Sequence, residues 1–285
     1  MKRLSKEYTM EKFTLLVATD FSENSMDLLQ KAIDFTTSRQ GNIHVVHVVE
    51  SSFFQESKRI DLIKEHCWEK LSSLYPLLKE EQFHCVKGNL EKTISIVAQT
   101  IGADMVMIGD NRTKHPIEEI FMSSDTKAII RESHIPIVVS KNKAYREYKT
   151  ILIPTDLSQA SSRVIQEIAH LFPDALLILL HLYSIPFEFR LGVYGFNENE
   201  IAQFKDESRR NAETQLKEFI HTLNLPAKQT LPIVRKDLLS SERFEENHKD
   251  LQADMVAIHT TGSISFFAFD LLEKSSTDVF IYKVQ

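Results

Sequence analysis

The segment LLVATDFS at residues 15–22 returns as ILIPTDLS at residues 151–158. Two further blocks follow in the same order: VVHV at 45–48 matches LLHL at 179–182, and ADMV at 103–106 recurs at 253–256. Three blocks in register indicate two copies of one structural unit. The separation between matching blocks grows along the chain, which predicts an insertion in the second copy within residues 184–228.

Composition limits the class of protein. The chain has 285 residues, of which 42% are hydrophobic and 26% are charged, as expected for two globular domains. The net charge of −6 argues against nucleic acid and anionic membrane surfaces as partners. Two cysteines, no disulfide pattern and no apolar run of membrane-spanning length favour a cytoplasmic protein. The seven glycines argue against folds with many glycine-lined phosphate loops.

Each copy alternates short apolar strands with amphipathic helices, which predicts an α/β fold with a parallel sheet covered on both faces. In the first copy we predict strands at Thr14–Ala18, Asn42–Val49, Gln82–Val86, Ala103–Ile108 and Ile135–Ser140, and helices after Ser22 and over 56–80, Leu90–Thr100 and Ile117–Glu132. In the second copy we predict strands at Thr150–Pro154, Ala175–Leu182, Gln229–Val234, Met255–His259 and Val279–Val284. We predict helices over Ser158–Leu171 and Ser240–Lys249, and a long amphipathic helix that includes Ile201 and Leu223. Lys141–Lys149 is the predicted connector.

Polar residues at the strand ends form the candidate site, because ligands of open parallel sheets bind beyond the carboxyl ends of the strands. Those ends carry Thr19–Ser22, His47–Glu50 and Gly109–Arg112. Asp20 could bind a ribose hydroxyl or a base amine, or Asp20 or Ser22 could cap the following helix. Both readings of Asp20 stay open.

Other residue patterns specify neither a reaction nor a metal. No Ser-His-Asp order, Walker-type loop or paired-carboxylate spacing stands out, so we predict no catalytic residues. The pairs His66–Cys67 and His84–Cys85 are adjacent rather than spaced to converge, so we assign no metal site. An aromatic-rich stretch at 187–196 could line an apolar pocket, cover a partner surface or cover its own sheet edge.

These blocks resemble the universal stress protein family, whose domains open with a strand that ends in a Thr-Asp-x-Ser turn, as Val17–Ser22 does. The resemblance continues through Val45–Val49, Val86–Leu90, Ala103–Gly109 and Ile135–Val139. It implies two tandem doubly wound five-stranded parallel-sheet domains, residues 10–142 and 147–285, each with strand order 3-2-1-4-5. It also implies that Ile135–Ser140 and Val279–Val284 pair antiparallel to form a pseudo-dimer within one chain. A homodimer of chains stays open.

The resemblance directs attention to one loop for nucleotide binding. ATP-binding members of the family follow the fourth strand with Gly-x2-Gly-x9-Gly-Ser/Thr, where glycines let the backbone approach phosphates. This chain keeps Gly109 but has Arg112 in the second glycine's place, and its Ser123 and Ser124 stand at the last two places. The resemblance thus implies a degenerate ATP or adenine-nucleotide site in domain 1, formed by Asp20, Val48, Gly109, Arg112, Ser123 and Ser124.

Domain 2 departs further from that loop pattern. It keeps Gly262, but about eight residues of the loop and its helix are missing by comparison with domain 1, so we expect no ATP there. The expected function is a stress-response binding or regulatory protein without efficient catalysis. The alternatives are an ATP-binding switch or slow ATPase working through domain 1, and a carrier of an apolar small ligand in domain 2.

Overall fold

The chain folds around one ten-stranded sheet in the computed structural model, which describes residues 12–50, 60–110, 112–114, 120–122, 124–142, 145–185, 187–237, 243–261 and 266–284. The first half comprises β1 (Thr14–Ala18), α1 (Glu23–Ser38), β2 (Asn42–Glu50), α2 (Ile60–Leu74), β3 (Phe83–Gly88), α3 (Leu90–Thr100), β4 (Met105–Gly109), β5 (Arg112–Lys114), β6 (Ile120–Met122), α4 (Ser124–Glu132) and β7 (Ile137–Ser140). The second half comprises β8 (Thr150–Thr155), α5 (Gln159–Leu171), β9 (Leu176–Tyr183), α6 (Glu198–Leu223), β10 (Thr230–Lys236), α7 (Phe244–His248), β11 (Met255–Thr261), α8 (Phe266–Lys274) and β12 (Asp278–Val284).

The strand order is β10-β9-β8-β11-β12-β7-β4-β1-β2-β3. Each half is parallel and has the order 3-2-1-4-5, so the predicted α/β fold class and strand order are confirmed. The last strands of the two halves lie side by side. β7 and β12 pair antiparallel, with Val138 opposite Phe280, and this pairing joins two five-stranded sheets into one.

Both faces of the sheet are buried, and each core runs through both halves. One core packs around α1 and α5 and joins Phe35 of the first half to Phe172 of the second, with ring centroids 6.2 Å apart. The other core, on the opposite face, includes Ile94 and Ile130 of the first half and Leu271 of the second. The alternation of side chains along each strand feeds both cores, as expected for strands that are apolar throughout.

Two helix predictions in the first half were wrong in part. The helix predicted over 56–80 is α2, which ends at Leu74, while residues 56–59 lie outside the described part. Pro76 explains this end, since proline cannot donate a backbone hydrogen bond and disfavours helical backbone in the residue before it. Within the helix predicted over Ile117–Glu132, Ile120–Met122 instead forms β6, paired antiparallel with β5. Its three residues Ile-Phe-Met suit a strand.

The second half has a helix before its last strand that we did not predict. α8 occupies Phe266–Lys274 and has nine residues, the same length as α4. The shortening therefore falls in the loop: residues 110–123 separate β4 from α4, but only 262–265 separate β11 from α8. Gly262 lies outside the described residues. The helix predicted over Ser240–Lys249 is the shorter α7, with residues 238–242 also outside them.

No helix in the described ranges combines the length and the apolar character needed to cross a bilayer.

Candidate functional site

A left-handed turn connects β1 to α1. Phe21 has φ 63°, a conformation that L-residues with large side chains rarely adopt. The Thr19 hydroxyl accepts a hydrogen bond from Phe21 N at 3.1 Å, and Asp20 Oδ1 accepts from Ser22 N at 3.0 Å and Ser22 Oγ at 2.6 Å. Ser22 is the N-cap, since its side chain accepts from Ser25 N. Capping thus belongs to Ser22, and Asp20 holds Ser22 in place.

The second half repeats this turn, with a different serine hydroxyl bound to the aspartate. Leu157 has φ 62°, and its N–H donates to the Thr155 hydroxyl at 3.1 Å. Asp156 Oδ1 accepts from Ser158 N at 3.0 Å and from Ser161 Oγ at 2.6 Å, and Ser158 caps α5. The strained backbone conformation is therefore a property of the repeated Thr-Asp-x-Ser sequence.

A histidine braces the same turn in each half. His47 at the end of β2 places Nδ1 2.9 Å from the Thr19 carbonyl oxygen, and His181 on β9 places Nδ1 3.2 Å from that of Thr155. Both contacts support a structural role for these histidines.

A cavity of about 680 Å³ opens where β1, β2, β4 and β7 end, and we call it the half-one cleft. Its polar lining comprises Thr19, Asp20, Asn24, Ser25, Asp27, His47, Asp110, Thr126, Ser140, Lys141, Asn142 and Ser276. Its apolar lining comprises Ala18, Leu28, Val46, Val48, Leu90, Ile94, Ile108 and Ile129, with Gly109 between the two sets. The cleft belongs to the first half except at Ser276, which the second half contributes.

The structure brings together three of the six predicted site residues. Asp20, Val48 and Gly109 line the half-one cleft. The side chain of Arg112 lies outside the described part of the structure, although its backbone belongs to β5. Ser124 begins α4 but its side chain is likewise outside that part, and Ser123 lies wholly outside it.

Two charged groups at the half-one cleft were not among the predicted nucleotide-site residues. Lys141 Nζ lies 2.8 Å from Asp110 Oδ2, and both side chains are almost completely buried. Lys141 Nζ also donates to the carbonyl oxygen of Leu272 at the end of α8. One side chain therefore ties the end of β4 to the other half. The position of Lys141 directly after a buried strand was the available signal.

Asp20 is ionised at neutral pH. Partial burial would raise the pKa of its carboxyl, but hydrogen bonds from Ser22 and Ser25 outweigh burial and bring the pKa below its ordinary value.

A second buried ion pair adjoins the half-one cleft. Lys31 on α1 pairs with Asp278 at the start of β12, and each side chain is 2% exposed. Lys31 Nζ also donates to Ser140 Oγ at 2.8 Å and to the carbonyl oxygen of Asn142 at 3.0 Å. Asp278 further accepts from Tyr148 OH at 2.6 Å. The connector predicted at Lys141–Lys149 is thus partly buried and bonded to both halves.

The corresponding strand ends of the second half are filled differently. The register of β11 and β12 puts His259 where β4 has Gly109, and Tyr282 where β7 has Ser140. Burial lowers the pKa of His259, although the nearby Asp156 carboxylate acts in the opposite direction. Two rings therefore occupy positions that hold small residues in the first half.

The aromatic-rich stretch is mostly exposed. Phe189 is 79% exposed and Val193 is 83% exposed, and Phe187, Tyr194 and Phe196 are also exposed. Arg190 stacks near Phe187 and Phe189.

Comparison with known proteins gives a family match for the first half and similar solved structures for nearly the whole chain. Residues 13–141 match the model of the Universal stress protein family. Among solved structures, this chain is similar to a universal stress protein from Archaeoglobus fulgidus DSM 4304, with 15% identity, 96% of this chain and 99% of that chain covered and a TM-score of 0.67. It is also similar to a putative universal stress protein from Pseudomonas aeruginosa UCBPP-PA14, with 14% identity, 95% and 93% coverage and a TM-score of 0.61.

These likenesses show the fold over both halves, and the family match supports membership for the first half. No curated protein matches the sequence significantly.

Proposed function

We propose that the chain is a universal stress protein in both halves, and that it acts as a ligand-binding regulatory protein of the stress response without efficient catalysis. The observation that carries this proposal is the half-one cleft. It lies at the carboxyl ends of parallel strands, where open α/β sheets bind ligands, and its volume of about 680 Å³ suits a small molecule.

The engagement of its polar groups supports ligand binding. His47 is held against the Thr19 carbonyl and Lys141 against Asp110. Side chains that are fixed in this way before a ligand arrives lose little freedom when it binds.

The contacts around the cleft also support regulation. Ser140 and Asn142 line the cleft and hold Lys31, whose partner Asp278 belongs to the second half. The backbone N–H groups of Lys141 and Asn142 donate to Asp278 Oδ1 at 2.8 and 3.2 Å. A ligand that shifts this segment changes the contact between the halves.

An adenine nucleotide is the second candidate, as the ligand of a switch or a slow ATPase. Asp20, Val48 and Gly109 favour it. The family resemblance implies that these three residues bind a nucleotide, and they line one cavity although they come from three separate strand ends. The carrier hypothesis lacks comparable support, since its aromatic side chains are exposed where a carrier site would enclose its ligand.

The test is calorimetric titration of adenosine and of ATP into the wild type, Asp20→Ala and Asp156→Ala. Asp156 is the matched control, because it holds the corresponding turn of the second half and does not line the half-one cleft. We expect both substitutions to lower Tm similarly and only Asp20→Ala to weaken binding, by about tenfold for one lost hydrogen bond. Equal binding by the wild type and Asp20→Ala, or no binding at millimolar ligand, would contradict the proposal.

A further inference from the structure

The apolar stripe of α6 is only partly buried. Its members recur at helical spacing along the whole helix: Ile201, Phe204, Ala212, Leu216, Phe219 and Leu223. The last four of them are buried, but Phe204 is 40% exposed and Ile201 is partly exposed. The residues from Glu198 to Asn211, about 20 Å of helix, therefore carry an apolar stripe that the described part of the chain leaves open.

The aromatic-rich stretch at 187–196 lies beside this open part of α6. Glu188 pairs with Lys205 on α6 and with Lys236 at the end of β10, at 2.7 Å in each case. Leu191 anchors the stretch by its own burial. These contacts hold the backbone in place while the neighbouring rings stay exposed. The surface is therefore ordered before a partner arrives, and it loses little freedom on binding.

Together these residues form an exposed apolar surface, which we call the aromatic overhang. It comprises Phe187, Phe189, Val193, Tyr194, Phe196 and Phe204, whose exposed fractions range from 40% to 83%. With about 200 Å² for a whole aromatic side chain, the five rings alone expose about 550 Å². A stable interface buries about 800 Å² on each partner, so these rings supply about two-thirds of that area. An apolar patch of this size typically marks an interaction site.

The charged groups around the aromatic overhang have both signs. Arg190 lies within it and stacks near two of its rings. The first turn of α6 carries Glu198 and Glu200, and further along the helix Asp206 pairs with Arg209. A surface for an anionic membrane would instead be dominated by lysine and arginine. A surface that meets its own copy needs both signs, because a single sign would set like charges against each other across the two-fold axis.

We propose that the aromatic overhang is an interface between two copies of this chain, related by a two-fold axis, in which the open lengths of α6 and the rings before them pack on each other. Arginine and aromatic side chains, which the overhang combines, are enriched in such interfaces. The contact is separate from the pairing of β7 with β12, which joins the two halves within one chain. None of the six overhang residues belongs to the described lining of the half-one cleft, so this dimer goes beyond ligand binding and does not depend on it.

The experiment is sedimentation velocity of the full chain at protein concentrations from about 1 to 300 µM, which bracket the dissociation constants of interfaces of modest area. We expect a dimer whose proportion rises with concentration. Phe189→Asp and Phe204→Asp should each raise the dissociation constant at least about tenfold, since each puts a charge among packed rings. Both side chains are exposed in the single chain, so the urea midpoint of the monomer should stay that of the wild type.

Leu77→Asp is the matched control. Leu77 is 91% exposed and lies between α2 and β3. β3 is the outermost strand at the end of the sheet opposite β10. The substitution has the same chemistry outside the aromatic overhang, so the dissociation constant should not change.

Hydrogen exchange at low and high protein concentration locates the contact, and we expect slower exchange at high concentration in residues 192–204. A chain that stays monomeric over the whole range, a dimer that the two phenylalanine variants leave intact, or protection confined to other residues would overturn the proposal. Binding of the monomeric chain to phosphatidylglycerol vesicles that Phe204→Asp abolishes would also overturn it, because the aromatic overhang would then be a membrane surface.

Discussion

Replacing Asp278 with asparagine removes the charge of a residue that links the two halves. The Asp278 carboxylate pairs with Lys31 and accepts hydrogen bonds from Tyr148 OH and from the backbone of Lys141 and Asn142. Burial, with the neighbouring Asp278 charge, raises the pKa of Tyr148 well above its ordinary value, so its hydroxyl remains a donor. In Asp278→Asn the new amide group would face donors, and the Lys31 ammonium would be buried without its counter-charge.

The expected loss is large because both side chains are only 2% exposed. Removing one partner of a buried ion pair typically costs about 3–5 kcal/mol, chiefly through the uncompensated charge that remains. Lys31→Met should cost a similar amount. The double variant Lys31→Met/Asp278→Asn should lose less than the two single losses added together, since it leaves no unpaired charge.

The assay is urea unfolding followed by the fluorescence of Trp68, the one tryptophan of the chain. Trp68 stacks on Phe83 in the first half, at a centroid distance of 6.2 Å, whereas Asp278 belongs to the second half. We expect Asp278→Asn to lower the Trp68 midpoint by roughly 1–2 M urea, because the halves share their cores.

The control is Asp250→Asn, which breaks an exposed pair with Arg235 in the second half. Surface pairs contribute about 1 kcal/mol or less, so the Trp68 midpoint should barely move. A midpoint in Asp278→Asn that equals that of this control, or losses that add fully in the double variant, would refute the reasoning.

Three other measurements test local chemistry. Burial, with Cys67 nearby, raises the pKa of Cys85 to about 11. Iodoacetamide at pH 8 should therefore alkylate Cys85 at least about a hundredfold more slowly in the folded protein than in urea. Equal rates would contradict this. Burial lowers the pKa of His44 and His84, whose ring nitrogens lie 3.0 Å apart. As the pH falls through about 6.5, the unfolded chain therefore takes up protons before the folded protein does. The stabilisation by the neutral rings is complete above that pH and is lost below it. The Tm should fall between pH 7 and 5, and it should fall less in His84→Gln. Gln252 is exposed and has φ 47°, so Gln252→Gly should raise stability by roughly 0.5–1 kcal/mol in urea titrations, whereas Gln252→Ala should not.

The sequence was enough to predict the parts of the fold that repeat. Short apolar strands alternating with helices define the parallel sheet, and parallel strands bring their carboxyl ends to one edge. Asp20, Val48 and Gly109 therefore converge in the half-one cleft although they lie far apart in the chain.

The features that the sequence did not predict depend on contacts between the two halves. Lys141 stands in a charged run that reads as a solvated connector, yet it is buried because α8 of the other half covers it. Lys31 occupies a helix position whose burial is decided by Asp278, distant in sequence. α8 itself had a local signal, the apolar FFAFDLL at 266–272. The signal was missed because the residues absent from the second half were expected to come from both the loop and the helix.

The ion pair also shows how a repeated chain becomes asymmetric. If two identical domains met across a two-fold axis, each contact would occur twice. Here the repeat places Glu167 where the first half has Lys31, and Pro136 where the second half has Asp278. The positions that correspond to Lys31 and Asp278 in the repeat therefore cannot form a second ion pair. The Lys31–Asp278 pair adjoins the half-one cleft, in the half that has the longer loop. A chain that carries both domains can change one half alone, whereas a dimer of identical subunits would have to accept every substitution in both.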